Sequence, residues 1–381
     1  MIPSAGTPIK IKDIIKAVIF SCDFEDEIKR MLGVNYAFAV NSGTTAFYII
    51  LSVLKKLSDK REVILPAYTA PSLLLPIKKA GLEYRLVDVS LDTFNMDTEK
   101  LAEVISDNTL AVLFIHMFGI PVEMEKSKNI KGVFRIEDAA SSFGTRRGKQ
   151  FTGTFCDIGF VSFNRGKNLS TVSGGVIVTD NLQFADAVKR RMADLSRPSP
   201  FARVKIFLKA LGLSLAVRPW FYSIFRHIVS GFKYTSLHED FDSYHYTKFQ
   251  GSLGCLLQER SETIFLDREA KGNLLYNGLK NIKGIRLPCL PDDWRIVFNQ
   301  FPFLVEDAKK RMKVLDAIIK AGVEATMLYD KPIHKIYDEP HKDYPNAEYM
   351  ADRLILIPVH HYVTERSLYK LLEAIETEIK K

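Results

Sequence analysis

Three short polar segments carry side chains able to handle a charged, phosphorylated ligand: NSGTT at 41–45, IEDAASSFG at 136–144 and SFNRGKN at 162–168. In the first, a Gly-Thr turn opens an apolar helical run, so Gly43 and Thr44 present backbone N–H groups at the positive end of a helix dipole, where a phosphate binds. In the second, Asp138 closes an apolar run and needs a cationic partner if buried. A protonated pyridine nitrogen is one such partner. An aspartate that keeps the ring of pyridoxal 5'-phosphate (PLP) protonated makes that ring an electron sink. In the third, Lys167 follows a strand-like run in a polar loop; desolvated beside a cofactor, its amine can form a Schiff base and then carry protons. Ser162, on the preceding run, offers a hydroxyl to the same phosphate as Thr44. Taken singly, each feature has an ordinary reading: a capped helix start, an ion pair of Asp138 with an arginine, a solvated surface lysine.

The elements that must hold these residues are legible in the hydrophobic pattern. From about residue 60 to 180, short apolar runs alternate with helical patterns, which is the signature of an α/β chain with crossover helices. The expected strands are VILPA after Glu62, YRLVDVS from Tyr84, LAVLFIHMF from Leu110, VFRIED from Val133, FVSFN from Phe160 and GVIVTD from Gly175. Several are apolar nearly throughout, as buried parallel strands are. Ligands of such sheets bind beyond the carboxyl ends of the strands, and His116, Asp138 and Asn164 all fall there. FEDEIKRML reads as a helix before the sheet, and AFYIILSVLKKL as one started by Thr44 or Thr45. From about residue 260 the pattern changes to a helix through 259–279, short strands near IRLP and NQFPFLV, and two helices near the end: a smaller α+β unit. The division expected is 1–197, a basic apolar linker at 198–245, and 246–381.

At 381 residues the chain exceeds what one hydrophobic core usually fills, and its 47% hydrophobic and 26% charged residues are those of an ordinary globular protein. The net charge of +8 suits an anionic ligand, and it reads as spread along the chain, with no basic tail to suggest nucleic acid. Cys22, Cys156, Cys255 and Cys289 form no CxxC pair and read as reduced core thiols of a cytoplasmic protein, with no metal site. No apolar run precedes a cleavage site near the N-terminus, so export is not expected. The stretch 198–234 differs from the rest, mixing Trp, Phe and Leu with Arg203, Lys205, Lys209, Arg218, Arg226 and Lys233. It is too charged to span a bilayer and fits a peripheral membrane contact, a subunit interface or a helical insertion.

Together, and in this order, the segments resemble the DegT/DnrJ/EryC1/StrS family of sugar aminotransferases. The likeness runs from IPSAGTPI through FEDEIKRMLGVNYAFAVNSGTTA, VILPAYTAPS, LVDVSLDTFNMD, HMFGIPVEM, IEDAASSFG and GKQFTGTFCDIGFVSFNRGKNLSTVSGGVIVTD, and more weakly through MLYDKPIHKIY and LILIPVHHYVTERSL. It implies the type I PLP-transferase fold, with a mostly parallel seven-stranded sheet, and a homodimer with shared active sites. By matching positions, Lys167 is the Schiff-base lysine and Asp138 the partner of the pyridine nitrogen. Gly43, Thr44 and Ser162 are the phosphate binders, and His334 a sugar contact. The implied reaction moves an amino group, with glutamate as donor, to a nucleotide-linked keto sugar for surface glycans. Alternatives are a PLP-dependent deoxysugar dehydration, in which relatives carry histidine in place of the lysine, and a non-catalytic binding protein. Three departures bear on this. Ala70 stands where the family stacks an aromatic residue on the ring, leaving Tyr68 or His116 to do so, or the ring without a stacking residue. Ser141 stands where many members have Gln or His near the phenolic oxygen. FDSYH, with Ser243 and His245, replaces the GYNYR-like segment that a neighbouring subunit contributes.

Overall fold

The apolar runs of the first half form one seven-stranded sheet from β1 (Tyr36–Val40), β2 (Glu62–Pro66), β3 (Glu83–Val87), β4 (Thr109–Ile115), β5 (Phe134–Asp138), β6 (Ile158–Ser162) and β7 (Gly175–Thr179). This is a computed structural model, and it describes residues 1–381 except 7, 126–129, 225–239 and 338–342. The strand order is β1-β7-β6-β5-β4-β2-β3. β7 alone runs against its neighbours β1 and β6, while the pairs among β2 to β6 are parallel. Strands β2, β4, β6 and β7 are buried at every residue, which explains their continuous apolar sequences. β1 is the strand the sequence reading did not include; its YAFAV alternates half-buried Tyr36 and Phe38 with buried Ala37 and Ala39. At the end of β4 the reading ran too far. The sheet ends at Ile115, and Phe118 turns into the left-handed region at φ 62°.

Helices cover the sheet. α1 (Ile11–Ile19) and α2 (Phe24–Leu32) precede it, and α3 (Gly43–Leu57) follows β1 and buries Phe47, Ile50 and Leu54 against the core. The basic apolar stretch forms α4 (Pro200–Ala216), started by the Ser199 side chain accepting from the Ala202 N–H, with proline at the first helical position. A second helical turn begins at Pro219. α5 (Lys248–Gln258), which the sequence reading passed over, has a capping box between Thr247 and Gln250. It packs on α1 and α2 so tightly that a Cβ on Gly254 would lie 2.5 Å from the Phe24 ring. Burying that ring contributes about 2–3 kcal/mol.

After α6 (Ser261–Leu279), a three-stranded antiparallel sheet of β8 (Ile285–Arg286), β9 (Gln300–Val305) and β10 (Leu354–Pro358) carries α7 (Ala308–Lys320), α8 (Pro345–Arg353) and α9 (Glu365–Lys380). The first residues of the chain belong with this part in space, since the Ile2 N–H donates to the Gly322 carbonyl at 2.8 Å and the Glu324 N–H to the Ile2 carbonyl at 2.9 Å. The cysteines require a correction. Cys22, ahead of α2, and Cys255, on α5, are joined as a disulfide with Cα atoms 6.8 Å apart, while Cys156 is half-buried and Cys289 exposed. The pair is 233 residues apart in sequence, and only the packing of α5 on α2 brings it together. No described helix is long and apolar enough to cross a membrane.

Candidate active site

Two strand ends and one helix start converge on the site. Asp138 is the last residue of β5 and Ser162 the last of β6, so both stand at the carboxyl edge of the sheet. α3 begins beside them, and a Cβ on Gly43 would lie 3.0 Å from the Ser162 Cβ and 3.2 Å from its Oγ. Glycine is what lets the helix approach the strand so closely. The Ser42 side chain takes the Thr45 N–H at 3.0 Å, leaving the N–H groups of Gly43 and Thr44 without intrahelical acceptors at the positive end of the helix. These N–H groups and the Ser162 hydroxyl offer donors to a phosphate.

Asp138 is buried. Its Oδ1 accepts the Ala140 N–H at 2.8 Å. Burial pushes its pKa up, against the opposing charge of Lys167 and that backbone bond. Lys167 reaches in from the loop after β6 and donates from Nζ to the Ser141 Oγ at 3.0 Å. Desolvation lowers its pKa, partly offset by Asp138. The pair therefore meets in a poorly solvated place where a buried carboxylate has spare acceptor capacity. Asn164 does not enter the site: it is exposed, its Oδ1 accepts the Arg165 N–H at 2.8 Å, and its carbonyl accepts the Lys167 N–H at 3.2 Å. It shapes the loop that carries Lys167.

His116 is fully buried with both nitrogens engaged. The Val122 N–H donates to Nδ1 at 3.0 Å, so the proton sits on Nε2, which faces Glu137 Oε1 at 2.8 Å. Glu137 also accepts the N–H groups of Gly153, Phe155 and Cys156 at 2.5, 2.8 and 3.1 Å. This satisfied network sits beneath Asp138 and fixes the end of β5. The sequence reading missed Glu137, although it stands next to Asp138.

Tyr68 is also fully buried. Its hydroxyl donates to the Tyr329 carbonyl at 3.1 Å, and the two rings meet edge to face at 5.8 Å. The Ile333 N–H donates to the Ala67 carbonyl at 2.9 Å, tying the 328–333 loop to the end of β2. Burial raises the Tyr329 pKa and the charge of Asp138 raises it further, so this phenol shares the field of the site. Tyr329 lies in the MLYDKPIHKIY segment, where the sequence reading chose His334. His334 points elsewhere: it pairs with Glu348 on α8 at 2.9 Å and its ring packs on Tyr344 at 4.9 Å. Among the described residues no contact joins it to Lys167, Asp138 or the start of α3. The FDSYH segment lies against α3 of its own chain, with Asn41 Nδ2 donating to the Asp242 carbonyl at 2.8 Å and Ser243 Oγ 3.4 Å from Thr45 Oγ1.

The chemistry of the residues present fits PLP: free N–H groups at a helix start for the phosphate, a buried acid for the ring nitrogen and a lysine whose pKa burial lowers beside that acid. Among the described residues, no cluster of three or more His, Cys, Asp or Glu could hold a metal. The sequence profile of the DegT/DnrJ/EryC1/StrS aminotransferase family matches residues 19–376. GDP-perosamine synthase of Escherichia coli O157:H7 is 25% identical over 363 residues, covering 92% of this chain and 88% of that protein. GDP-4-keto-6-deoxy-D-mannose 3-dehydratase of E. coli O55:H7 is 30% identical over 166 residues, 42% of this chain and 43% of its own. The solved sugar aminotransferase CalS13 of Micromonospora echinospora superposes with a TM-score of 0.78 at 22% identity, covering 99% of this chain and 100% of that one.

Proposed function

Because the chain belongs to the DegT/DnrJ/EryC1/StrS aminotransferase family, we propose that it transfers an amino group from glutamate to the keto carbon of a nucleotide-linked sugar, with PLP as cofactor. The observation that carries this reading is the desolvated Lys167 facing buried Asp138 beside the open start of α3. When bound, PLP supplies an electron-withdrawing ring that eases removal of a proton from the substrate carbon. Asp138 holds the ring nitrogen protonated, and Gly43, Thr44 and Ser162 hold the phosphate. Lys167 carries the cofactor and then, with its pKa lowered by burial, takes and returns the proton. Ser141 orients that amine. Tyr68 and His116 support the site, Tyr68 through the 328–333 loop and His116 through Glu137. His334 meets the sugar only if α8 releases it.

The proposal includes a homodimer with shared active sites, a cytoplasmic enzyme serving surface-glycan synthesis, and a sheet domain, linker and small domain divided at 197/198 and 245/246. The likeness to GDP-perosamine synthase supports the sugar-nucleotide class. The partial likeness to a 3-dehydratase keeps deoxysugar dehydration as the second reading; a lysine at 167 favours amine transfer. The test is the visible absorbance of the purified chain with PLP, native against Lys167→Ala, before and after glutamate. A band that needs Lys167 and is bleached by glutamate is the expected result. A band that glutamate leaves unchanged rejects the donor, and the absence of any Lys167-dependent band rejects the enzyme reading.

A further inference from the structure

The net charge of this chain is not spread evenly, contrary to the first reading of its sequence. Between Leu195 and His238 there is no Asp or Glu, and Arg197, Arg203, Lys205, Lys209, Arg218, Arg226 and Lys233 supply seven of the net eight positive charges. α4 lies in this stretch and is apolar on two sides. Ile206, Ala210 and Ser214, spaced by four, are buried. Phe201, Val204 and Leu208, at a helical spacing of three and four, are 77%, 56% and 58% exposed. Trp220, just beyond, is 60% exposed, and α1, which packs against α4, leaves Ile15, Val18, Ile19 and Phe20 open. With Ile224, these segments hold nine of the fifteen large apolar side chains exposed among the described residues.

The described cations of this face find no acid. Among the described residues, Arg203 and Arg218 donate to backbone carbonyls of Pro198 and Ser214, and neither they nor Lys205 or Lys209 form an ion pair. Lys209 feels only burial and the like charges of Lys205 and Arg165. Arg165 is exposed in the loop that carries Lys167, so the basic face adjoins the mouth of the site. On α1, Lys12 and Lys16 are exposed, whereas its one acid, Asp13, is buried against Arg260. A second copy of the chain is a poor occupant, since a two-fold contact sets this face on its own copy, which offers the cations no free acid. An anionic lipid surface answers both features, taking Phe, Leu and Trp into the boundary of headgroups and acyl chains and Lys and Arg onto its phosphates.

We propose that the outer face of α4, continued by Trp220 and α1, docks this protein peripherally on an anionic lipid bilayer. The inference is independent of the cofactor reading. Its test is flotation of the full chain with vesicles of phosphatidylcholine alone or with about one-third phosphatidylglycerol. The chain is expected to float with the anionic vesicles only, and less so as salt is raised. Lys205→Ala and Lys209→Ala should each weaken binding about fivefold, and Phe201→Asp with Leu208→Asp should abolish it. Leu182→Asp, a control at an exposed leucine elsewhere, should float as the native chain does, and matched thermal melts identify variants that remain folded. Failure to float with anionic vesicles, or equal flotation with neutral ones, overturns the proposal. So does a drop in sedimentation mass in the folded Phe201/Leu208 variant, which would give the face to a second copy.

Discussion

Desolvation lowers the pKa of both Lys167, within the fold, and Lys209, on the exposed face of α4. They differ in what faces them. Lys167 meets a buried carboxylate and a hydroxyl from its own fold, whereas Lys209 meets Lys205 and Arg165. A desolvated lysine with an internal counter-charge is positioned for chemistry on a bound molecule. An exposed lysine among like charges leaves its counter-charge to come from outside the chain. The residue type and the sign of the shift are the same, so neither distinguishes a catalytic site from a surface; the partner does.

The sharpest way to break this contrast is to remove each amine. Lys167→Ala should lower amine transfer by about 10⁴-fold, the upper range for a proton carrier, in single-turnover assays with glutamate. Lys209→Ala should leave the rate within about twofold, as a surface change does. A large effect at Lys209 would place it in the site and dissolve the comparison. Lys167 also sets a pH dependence in the cofactor-free protein. Its proton is bound less tightly in the fold than in the unfolded chain, so holding the ammonium costs stability below the folded pKa. That cost fades as pH rises toward the ordinary lysine value of 10.5. Lys167→Met should therefore raise Tm near neutrality and lose the gain near that pH. A gain independent of pH would mean that the amine is solvated.

Next in size is Asp138→Asn, expected to cost about 10²-fold or more in the same assay, because an amide cannot keep the ring nitrogen protonated. Cofactor affinity should fall much less than the rate. If both fall together, Asp138 holds the end of β5 and does not act on the ring.

How much of this was legible in the sequence follows the same division between local and distant partners. β2, β4, β6 and β7 announce themselves because strands buried on both faces are apolar throughout. β1 does not, because a five-residue run of alternating alanines and aromatics is stabilised by antiparallel pairing with β7, whose residues lie more than 130 positions away. The segments holding Gly43, Asp138 and Lys167 could be read as one site only through their joint family resemblance, since the sheet brings them together. The MLYDKPIHKIY segment suggests His334, yet Tyr329 is the residue that shares the field of Asp138, because His334 lies on the short helix Ile333–Ile336 and buries its ring against Glu348 and Tyr344, partners that no local pattern shows. The Cys22–Cys255 link and the exposure of Cys289 were invisible for the same reason.

Gly43→Ala sharpens the comparison at the phosphate end of the site. Alanine is the better helix former by about 1 kcal/mol, but its Cβ would stand 3.0 Å from Ser162, against the strand and in the corner assigned to the phosphate. The two effects on stability oppose each other, so Tm should move by only a few degrees, about the shift of 1 kcal/mol in a chain this size or less. PLP affinity, followed by fluorescence quenching, should weaken about tenfold, the equivalent of one charge-assisted hydrogen bond. A large loss of Tm with affinity intact would make this glycine a packing residue only.

The smallest expected effect is the most specific to the contrast between the two lysines. Ser141 is the one described side chain that accepts a hydrogen bond from the Lys167 amine, and Lys209 has no counterpart. Ser141→Ala removes a neutral acceptor worth about 1 kcal/mol. It leaves Asp138 in place, so the rate should fall several-fold and not by orders of magnitude. A hydroxyl acceptor favours the charged amine, so its loss should lower the Lys167 pKa further and move the rise of cofactor binding with pH, which needs the neutral amine, to lower pH. Ser141→Thr keeps a hydroxyl at the same branch and should restore both. If the alanine variant slows the reaction without moving the pH profile, Ser141 packs beside the amine without orienting it, and Asp138 alone separates Lys167 from a surface lysine.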